Sequence, residues 1–163
     1  MSFKLVTKKK GQANFMSCKE FFKPIRDGVE KLSPIKNDMD NFFLCLVVGF
    51  KYNLREKYNN YTLVEFNSKY TEGFLHVRPL INGLLLTKII GLKGIDNNQK
   101  SKVKKLMQEV IDINDPLNLK PDFIRILHEY YIGGYLKLLS EFDNKRPKDV
   151  SVFFTKLNNL LKD

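Results

Sequence analysis

The chain has 163 residues, which is enough for one domain with a proper core and too few for two domains of comfortable size. Hydrophobic residues at 43% and aromatic residues at 12% indicate a globular protein and exclude a disordered one. The net charge of +10 makes a polyanion a candidate partner, although it also suits a merely soluble surface.

The N-terminal residues 1–16 are short and basic, and they predict either a flexible arm or a brief strand. From residue 17 onward apolar residues recur at helical intervals, which predicts a helix over 17–32. Ser17 is a suitable N-cap, and Glu20 three residues later has the spacing of a capping box. We therefore expect a basic N-terminal arm, 1–16, followed by a helical domain, 17–163.

The segment after Asn37 and Asp38, which are capping residues, has apolar residues on nearly every face. Such a helix should be the central and most buried one. Gly49 within it would let a neighbouring helix approach closely. Residues 63–66 alternate between apolar and polar, and they fit a strand or a short helix equally well.

After Pro79, the sequence LINGLLLTKIIGL has the length and apolarity of a second buried helix, which Gly91 and Gly94 would end. Asn97 or Asn98 is expected to cap the helix that follows.

Two further helices complete the predicted fold, a long one over Asp122–Phe142 and a last one that begins near Pro147. Five or six helices with short connections and no alternation of strands and helices predict an all-α or predominantly α fold. We expect a single compact helical domain, with a small β element left open around residues 63–66.

No stretch of the sequence carries a complete catalytic motif. His128 and Glu129 resemble the start of a zinc metalloprotease motif, but the second histidine that zinc requires is replaced by Ile132. The segment GLKGIDNNQKS lacks the Gly-Lys-Ser/Thr ending of a phosphate-binding loop. Cys18 and Cys45 share no spacing typical of metal ligands. We predict no catalytic residue, no metal site and no cofactor.

A membrane location is not expected from the sequence. The longest apolar run, Phe42–Phe50, is about half the length of a membrane span. The residues after Lys8–Lys10 do not form the apolar core of a secretory signal. We therefore expect a cytoplasmic protein that makes no membrane contact.

The sequence HEYYIGGYLKLL, residues 128–139, places a double glycine within a predicted helix. Each glycine costs a helix roughly 1 kcal/mol relative to alanine, so a packing benefit should offset it. One interpretation is an internal crossing of two helices. The other is a docking groove for a partner subunit, in which aromatic anchors lie beside the glycine notch. The residues of this predicted groove are Tyr130, Tyr131, Gly133, Gly134 and Tyr135.

The basic residues are unevenly distributed, since residues 1–36 contain nine Lys or Arg and only three Asp or Glu. A second cluster lies at residues 100–105, in a sequence with helical spacing. These lysines either form a solvated surface or contact a polyanion, above all double-stranded DNA. The candidate nucleic-acid-binding residues are Lys8, Lys9, Lys10, Lys100, Lys102, Lys104 and Lys105.

Two segments together resemble the DNA phosphorothioation-associated protein 4 family. NDMDNFFLCLVVGFKYNLRE, residues 37–56, is similar to that family's apolar helix ending in Gly-aromatic-Lys and then a basic residue. ILHEYYIGGYLKLLSEF, residues 126–142, is similar to its later helix with a Glu-Tyr pair and Gly-Gly. The resemblance spans most of residues 20–145. Tyr131-Ile132 replaces the smaller, more polar residues expected before the two glycines, which leaves open whether the same partner is bound.

This resemblance implies a small accessory protein of bacterial DNA-modification or anti-phage defence operons, without enzyme activity. Similar small subunits accompany large ATPases, including ones like the structural-maintenance-of-chromosomes proteins in the Lamassu type of defence system. We therefore expect a non-catalytic subunit that binds a larger ATPase or nuclease, and we keep DNA contact open. The alternatives are a stand-alone regulator that binds nucleic acid and, third, an enzyme whose site is assembled from scattered polar residues.

Overall fold

The computed structural model describes residues 2–27, 34–67, 72–96, 98–112 and 118–162. Within these residues the fold is predominantly α-helical, with six α-helices and one two-stranded antiparallel sheet, which confirms the predicted fold class. The elements are β1 (Phe3–Lys9), α1 (Cys18–Arg26), α2 (Asp38–Lys51), β2 (Tyr61–Asn67), α3 (Arg78–Leu92), α4 (Lys100–Val110), α5 (Pro121–Glu141) and α6 (Val150–Lys162). Short 3-10 helices at Tyr58–Asn60 and Glu72–Val77 precede β2 and α3.

Helix α1 begins with the predicted capping box. The Ser17 side chain accepts a hydrogen bond from the Glu20 backbone N–H, and the Glu20 carboxylate accepts one from the Ser17 N–H at 2.9 Å. Satisfying these otherwise unpaired N–H groups fixes the helix start. The second half of the predicted helix, residues 28–33, lies outside the described residues.

The N-terminal residues are a strand rather than a separate arm. Strand β1 pairs with β2 in antiparallel register, so the alternation at residues 63–66 marks a strand and not a helix. Phe3, Leu5 and Val6 are fully buried. Of the two alternatives predicted for residues 1–16, a flexible arm or a brief strand, the structure shows a strand at Phe3–Lys9, and this strand contributes side chains to the common core.

The core is built around α2 and α5, which make the most extensive contact between any two elements. Asn37 caps α2 as predicted, and Asp40 completes its capping box. Aromatic side chains from α1, α5 and α6 extend the core on one side of this pair. They are Phe21, Phe22, Tyr135, Phe142 and Phe153.

Helix α3 is not the second buried helix that its composition predicts. Ile81, Leu85 and Ile89 face the core, whereas Leu80 is 55% and Leu92 53% exposed. Among the described residues, the main contacts of helix α3 are with α4, α2 and the preceding 3-10 helix. The cap of α4 also differs from the prediction, since it is Gln99 and not Asn98, while Asn97 lies outside the described residues.

Candidate functional site

The double glycine of α5 lies where α5 crosses α2. A Cβ atom added at Gly134 would overlap the Cys45 carbonyl and lie 2.5 Å from the Gly49 backbone nitrogen. In return, a Cβ atom added at Gly49 would overlap the Tyr130 carbonyl. Each helix therefore carries a glycine where the other backbone touches it, and a side chain at either position would force the helices apart.

Gly133 faces a different neighbour from Gly134. A Cβ atom at Gly133 would overlap the Leu54 carbonyl, in the segment that leaves α2. That segment continues along α5, where the Glu56 N–H donates to the Glu129 carbonyl at 3.1 Å. Arg55 also forms an ion pair with Glu129 at 2.5 Å. The two glycines thus hold α2 and the chain after it against a single helix.

Tyr131 and Tyr135 of α5 form hydrogen bonds, from within the core, with segments that are distant in the sequence. The Tyr131 hydroxyl accepts a hydrogen bond from the Val6 N–H of β1 at 3.0 Å, and its ring stacks on Phe42 with centroids 4.7 Å apart. The Tyr135 hydroxyl donates to the Met16 carbonyl at 2.6 Å. Burial raises the pKa of both phenols above the usual value, so they stay protonated at neutral pH.

The residues predicted to bind a partner are therefore interior residues. Tyr130, Tyr131 and Tyr135 are fully buried, and both glycines are in contact with other backbone segments of the same chain. The Tyr130 hydroxyl donates to the Asn53 side chain at 3.2 Å. A docking groove at these residues is wrong for this structure, because their surfaces are already covered by α2, β1 and the connecting segments.

His128 is another interior residue of α5, with 2% of its surface exposed. Its Nε2 atom accepts a hydrogen bond from the Lys4 backbone N–H at 3.1 Å, and its Nδ1 atom pairs with the Ile124 carbonyl at 2.8 Å. Burial lowers its pKa to about 4, so the ring is neutral at pH 7. Both ring nitrogens are occupied, and His128 acts as a clip between α5 and β1 rather than as a proton donor or metal ligand.

The structure separates the candidate nucleic-acid-binding lysines into two groups. Lys8, Lys9 and Lys10 lie at the end of β1, beside Asn60 and the start of β2. Lys8 and Lys10 are exposed, whereas the Lys9 ammonium lies 6.0 Å from the centre of the Tyr61 ring.

The second group lies on α4, the helix that packs on α3. Lys100, Lys102, Lys104 and Lys105 are all exposed, while Leu106 and Val110 face inward. The only acidic residue of this helix, Glu109, is paired with Lys93 at 3.1 Å. Within the described part of the chain, Lys100, Lys102, Lys104 and Lys105 form no ion pair, and such a basic surface is the electrostatic footprint expected of a polyanion contact.

Sequence reasoning missed the outward face of α3, which is apolar and open. It is formed by Leu80, Leu84 and three small residues at intervals of four, Gly83, Thr87 and Gly91. No described atom lies within 4 Å of a Cβ atom built on Gly83 or Gly91. The Thr87 hydroxyl donates to the Gly83 carbonyl of its own helix at 2.9 Å, so the face presents a methyl group rather than an unpaired polar atom.

This α3 face also lacks charge. Lys88 is the only charged residue between Arg78 and Lys93, and it lies at the border of the face. Together with the preceding 3-10 helix, α3 forms a helical segment, Glu72–Leu92, that is long and apolar enough to cross a membrane. Only 22% of its most apolar 18 residues are buried. The sequence signal that could have pointed to this face is the spacing of the small residues Gly83, Thr87 and Gly91 at intervals of four.

Comparison of the chain with protein-family models, with curated proteins and with solved structures finds no match. The resemblance to the DNA phosphorothioation-associated protein 4 family therefore stays a prediction. Among the described residues, no group of three His, Cys, Asp or Glu side chains is placed to hold a metal ion. The open α3 face and the basic α4 helix are the two surface features that bear on the predicted partners.

Proposed function

We propose that the protein is a non-catalytic accessory subunit of a bacterial anti-phage DNA-defence complex, which works in the cytoplasm and binds a larger ATPase or nuclease subunit. The supporting observation is the α3 face, an exposed helical surface without charge. Exposed apolar surfaces of this kind mark interaction sites when they are contiguous and bordered by polar residues. The family resemblance supports the choice of partner.

The occupant that best fits the α3 face is a helix of the larger subunit. Gly83 and Gly91 leave open notches along one line of α3, and small residues at this spacing let two helix backbones approach closely. A second copy of this chain fits less well, because both copies would carry a net charge of +10. The lysines of α4 next to α3 favour a partner surface with acidic residues at its border.

Co-expression with a candidate large ATPase or nuclease subunit tests this proposal. The double variant Leu80→Ser, Leu84→Ser should lose co-purification with the large subunit while the free chain melts at nearly the wild-type temperature. Val152→Ser is the matched control, since Val152 is 40% exposed on α6, away from α3, and should leave the complex intact.

Three results would overturn the docking proposal. The first is a complete complex with the double variant. The second is a wild-type dimer in light scattering that the double variant abolishes. The third is binding to vesicles of phosphatidylcholine and phosphatidylserine that depends on Leu80 and Leu84, because an apolar helix beside basic residues is also typical of membrane-surface binding.

A stand-alone nucleic-acid-binding regulator is the second candidate, and the basic surface of α4 favours it. If the seven candidate lysines contact phosphates, the affinity for duplex DNA should fall steeply with salt, by about 0.9 in the logarithmic slope for each contact. Replacing Lys100, Lys102, Lys104 and Lys105 with Gln should flatten this slope. An equal number of exposed lysines elsewhere provides the control, namely Lys57, Lys145, Lys148 and Lys162.

We further expect no catalysis by the isolated protein. Neither DNA cleavage with magnesium or manganese nor nucleotide hydrolysis should be detectable, since the sequence carries no complete motif for either. Metal-dependent cleavage that survives purification and disappears on substitution of a single Asp or Glu would contradict this expectation.

A further inference from the structure

A cleft of about 600 Å³ opens between the beginning of β1 and the first turns of α5. This volume lies in the range of sites that hold small molecules. It is independent of the α3 face and of the lysines on α4. The side chains that give the cleft its chemistry are Ser2, Lys4, Tyr58, Ile124, Arg125 and His128.

The charge in this cleft is positive. Lys4 and Arg125 both line it, no carboxylate does, and neither cation forms an ion pair within the described part of the chain. Asp122 lies one turn before Arg125 but makes no ion pair with it among those residues. Two cations that line the same concave surface favour an anion, and a guanidinium group matches the geometry of phosphate oxygens in particular.

The remaining polar groups of the cleft divide into occupied and available ones. His128 is neutral, and both of its ring nitrogens are bonded to backbone groups, so it forms a fixed wall. The hydroxyl groups of Ser2 and Tyr58 have no hydrogen-bond partner in the described residues and can donate to a ligand. Neutral hydroxyl donors beside two cations suit a phosphate group, which offers several acceptor oxygens.

The cleft also has an aromatic and apolar side. The Tyr58 ring is half-buried and stands nearly perpendicular to the His128 imidazole, at 87° with centroids 5.9 Å apart. Ile124 continues this wall along α5. A half-exposed aromatic ring held beside a cationic pocket is suited to stacking on a nucleobase whose phosphate is bound next to it.

We propose that this cleft binds a nucleotide, with Arg125 and Lys4 on the phosphate and Tyr58 against the base. The chemistry is shared by a free nucleoside monophosphate and by the 5′-terminal nucleotide of a DNA strand. The site is a binding site only, without a step that breaks or forms a bond.

Isothermal titration with deoxyadenosine monophosphate, deoxyadenosine and inorganic phosphate tests the proposal on the intact protein. The nucleotide should bind saturably, and more tightly than either the nucleoside or phosphate alone. Arg125→Gln and Lys4→Gln should each weaken binding about ten-fold, which is typical of losing one charge-assisted hydrogen bond. Lys4→Gln retains the backbone N–H that His128 accepts, so this variant should keep its fold.

Lys57→Gln is the matched control, because Lys57 is exposed and adjacent to Tyr58 but does not line the cleft. Its affinity for the nucleotide should equal that of the wild type. Titration with 5′-phosphorylated and 5′-hydroxyl oligonucleotides then distinguishes the two sources. Tighter binding of the phosphorylated strand than of the free nucleotide identifies a DNA end, and the reverse order identifies a free nucleotide.

The proposal is overturned if no saturable binding occurs at millimolar nucleotide. It is also overturned if deoxyadenosine or inorganic phosphate binds as tightly as the nucleotide, because one half of the site would then contribute nothing. An equal loss of affinity in Lys57→Gln and Arg125→Gln would show general attraction to a basic protein instead of a site.

Discussion

Two helices of this protein are apolar and carry two glycines each, yet they occupy opposite environments. The glycines of α5 are closed over by α2 and by the segment after it, while those of α3 face open space. Tyr131 and Tyr135 beside Gly134 are fully buried, whereas Leu80 and Leu84 beside Gly83 are exposed. The same residue type thus serves internal packing in one helix and leaves a free surface in the other.

Apolar composition alone therefore does not determine whether a helix is buried. Helix α5 is surrounded because α2, β1 and the chain after α2 all converge on it. Among the described residues, helix α3 contacts mainly α4, α2 and the preceding 3-10 helix, and Leu80 and Leu84 stay exposed. An uncovered apolar face of this kind is the feature that we assign to a partner.

The largest effect should come from adding one methyl group at the α2–α5 crossing. Gly134→Ala should lower the free energy of unfolding by about 3 kcal/mol or more, since the new Cβ atom meets backbone atoms that cannot rotate away. Gly83→Ala is the matched control and should stabilise the protein by up to about 1 kcal/mol through helix propensity. Urea unfolding measures the change in the free energy of unfolding for both variants. Equal changes of the same sign would contradict the difference in burial between Gly134 and Gly83.

The next effect concerns the pH dependence of the α5 interior. His128 has a pKa lowered to about 4 by burial, while an unfolded histidine titrates near its ordinary value of 6.5. The unfolded state therefore binds the proton more readily, and stability present above pH 6.5 is lost as pH falls toward 4. The full loss amounts to about 3 kcal/mol at most.

His128→Gln should be less stable at pH 7 but should flatten the profile between pH 6.5 and 4. His76→Gln is the matched control, because it removes an exposed imidazole instead of the buried one. The carboxylates of Glu20 and Asp27 have pKa values lowered by hydrogen bonds to Ser17 and Lys23, so they also lose stabilisation as the pH falls, and the difference between wild type and His128→Gln isolates the histidine. A wild-type protein with constant stability across the window would contradict a buried, neutral His128.

A smaller effect is expected from the hydrogen bond that ties β1 to α5. Tyr131→Phe removes the acceptor of the buried Val6 N–H and should cost about 1–2 kcal/mol in thermal unfolding. Tyr58→Phe is the control, because the Tyr58 hydroxyl has no hydrogen-bond partner within the described residues. It should change the free energy of unfolding by less than about 0.5 kcal/mol. Equal costs would mean that α5 does not hold β1 through this bond.

The smallest effect should come from the α3 face itself. Leu80→Ser with Leu84→Ser exchanges exposed apolar side chains for polar ones and should change the free energy of unfolding by about 0.5 kcal/mol or less in either direction. Calorimetry of the free chain checks this. A large loss of unfolding free energy would indicate that these leucines belong to the core. It would contradict the conclusion that this face of α3 is open while α5 is buried.

Most of the fold could be predicted, because local signals and tertiary contacts agree. The predicted capping box of Ser17 with Glu20 forms, and Asn37 caps α2 as predicted, whereas Asp38 is the first residue of that helix. The position of Gly49 in an apolar helix predicted a close helix contact, which it makes. The pairing of β1 with β2 could not be predicted, since it joins residues about sixty positions apart and no local pattern encodes such a partner.

The candidate site was harder to predict, because exposure depends on what the rest of the chain covers. Tyr131 and Gly134 have the composition of an interface anchor and a notch, and the same composition serves an internal crossing. Leu80 and Leu84 read as core residues for the same reason. Glycines occur in both helices, and whether a glycine lies at a covered crossing or on an open face depends on a neighbour that sequence spacing does not reveal.

The most direct test of an open α3 face is the reaction of a thiol placed on it. Cys18 and Cys45 are fully buried, and burial raises the pKa of the Cys45 thiol, so the native wild-type protein should not react with a thiol reagent. Gly83→Cys should add one thiol that reacts under native conditions about as fast as a free cysteine, and the larger subunit should then protect it. A Gly83→Cys thiol that reacts only after denaturation would show that α3 is covered within the free chain and would contradict the account.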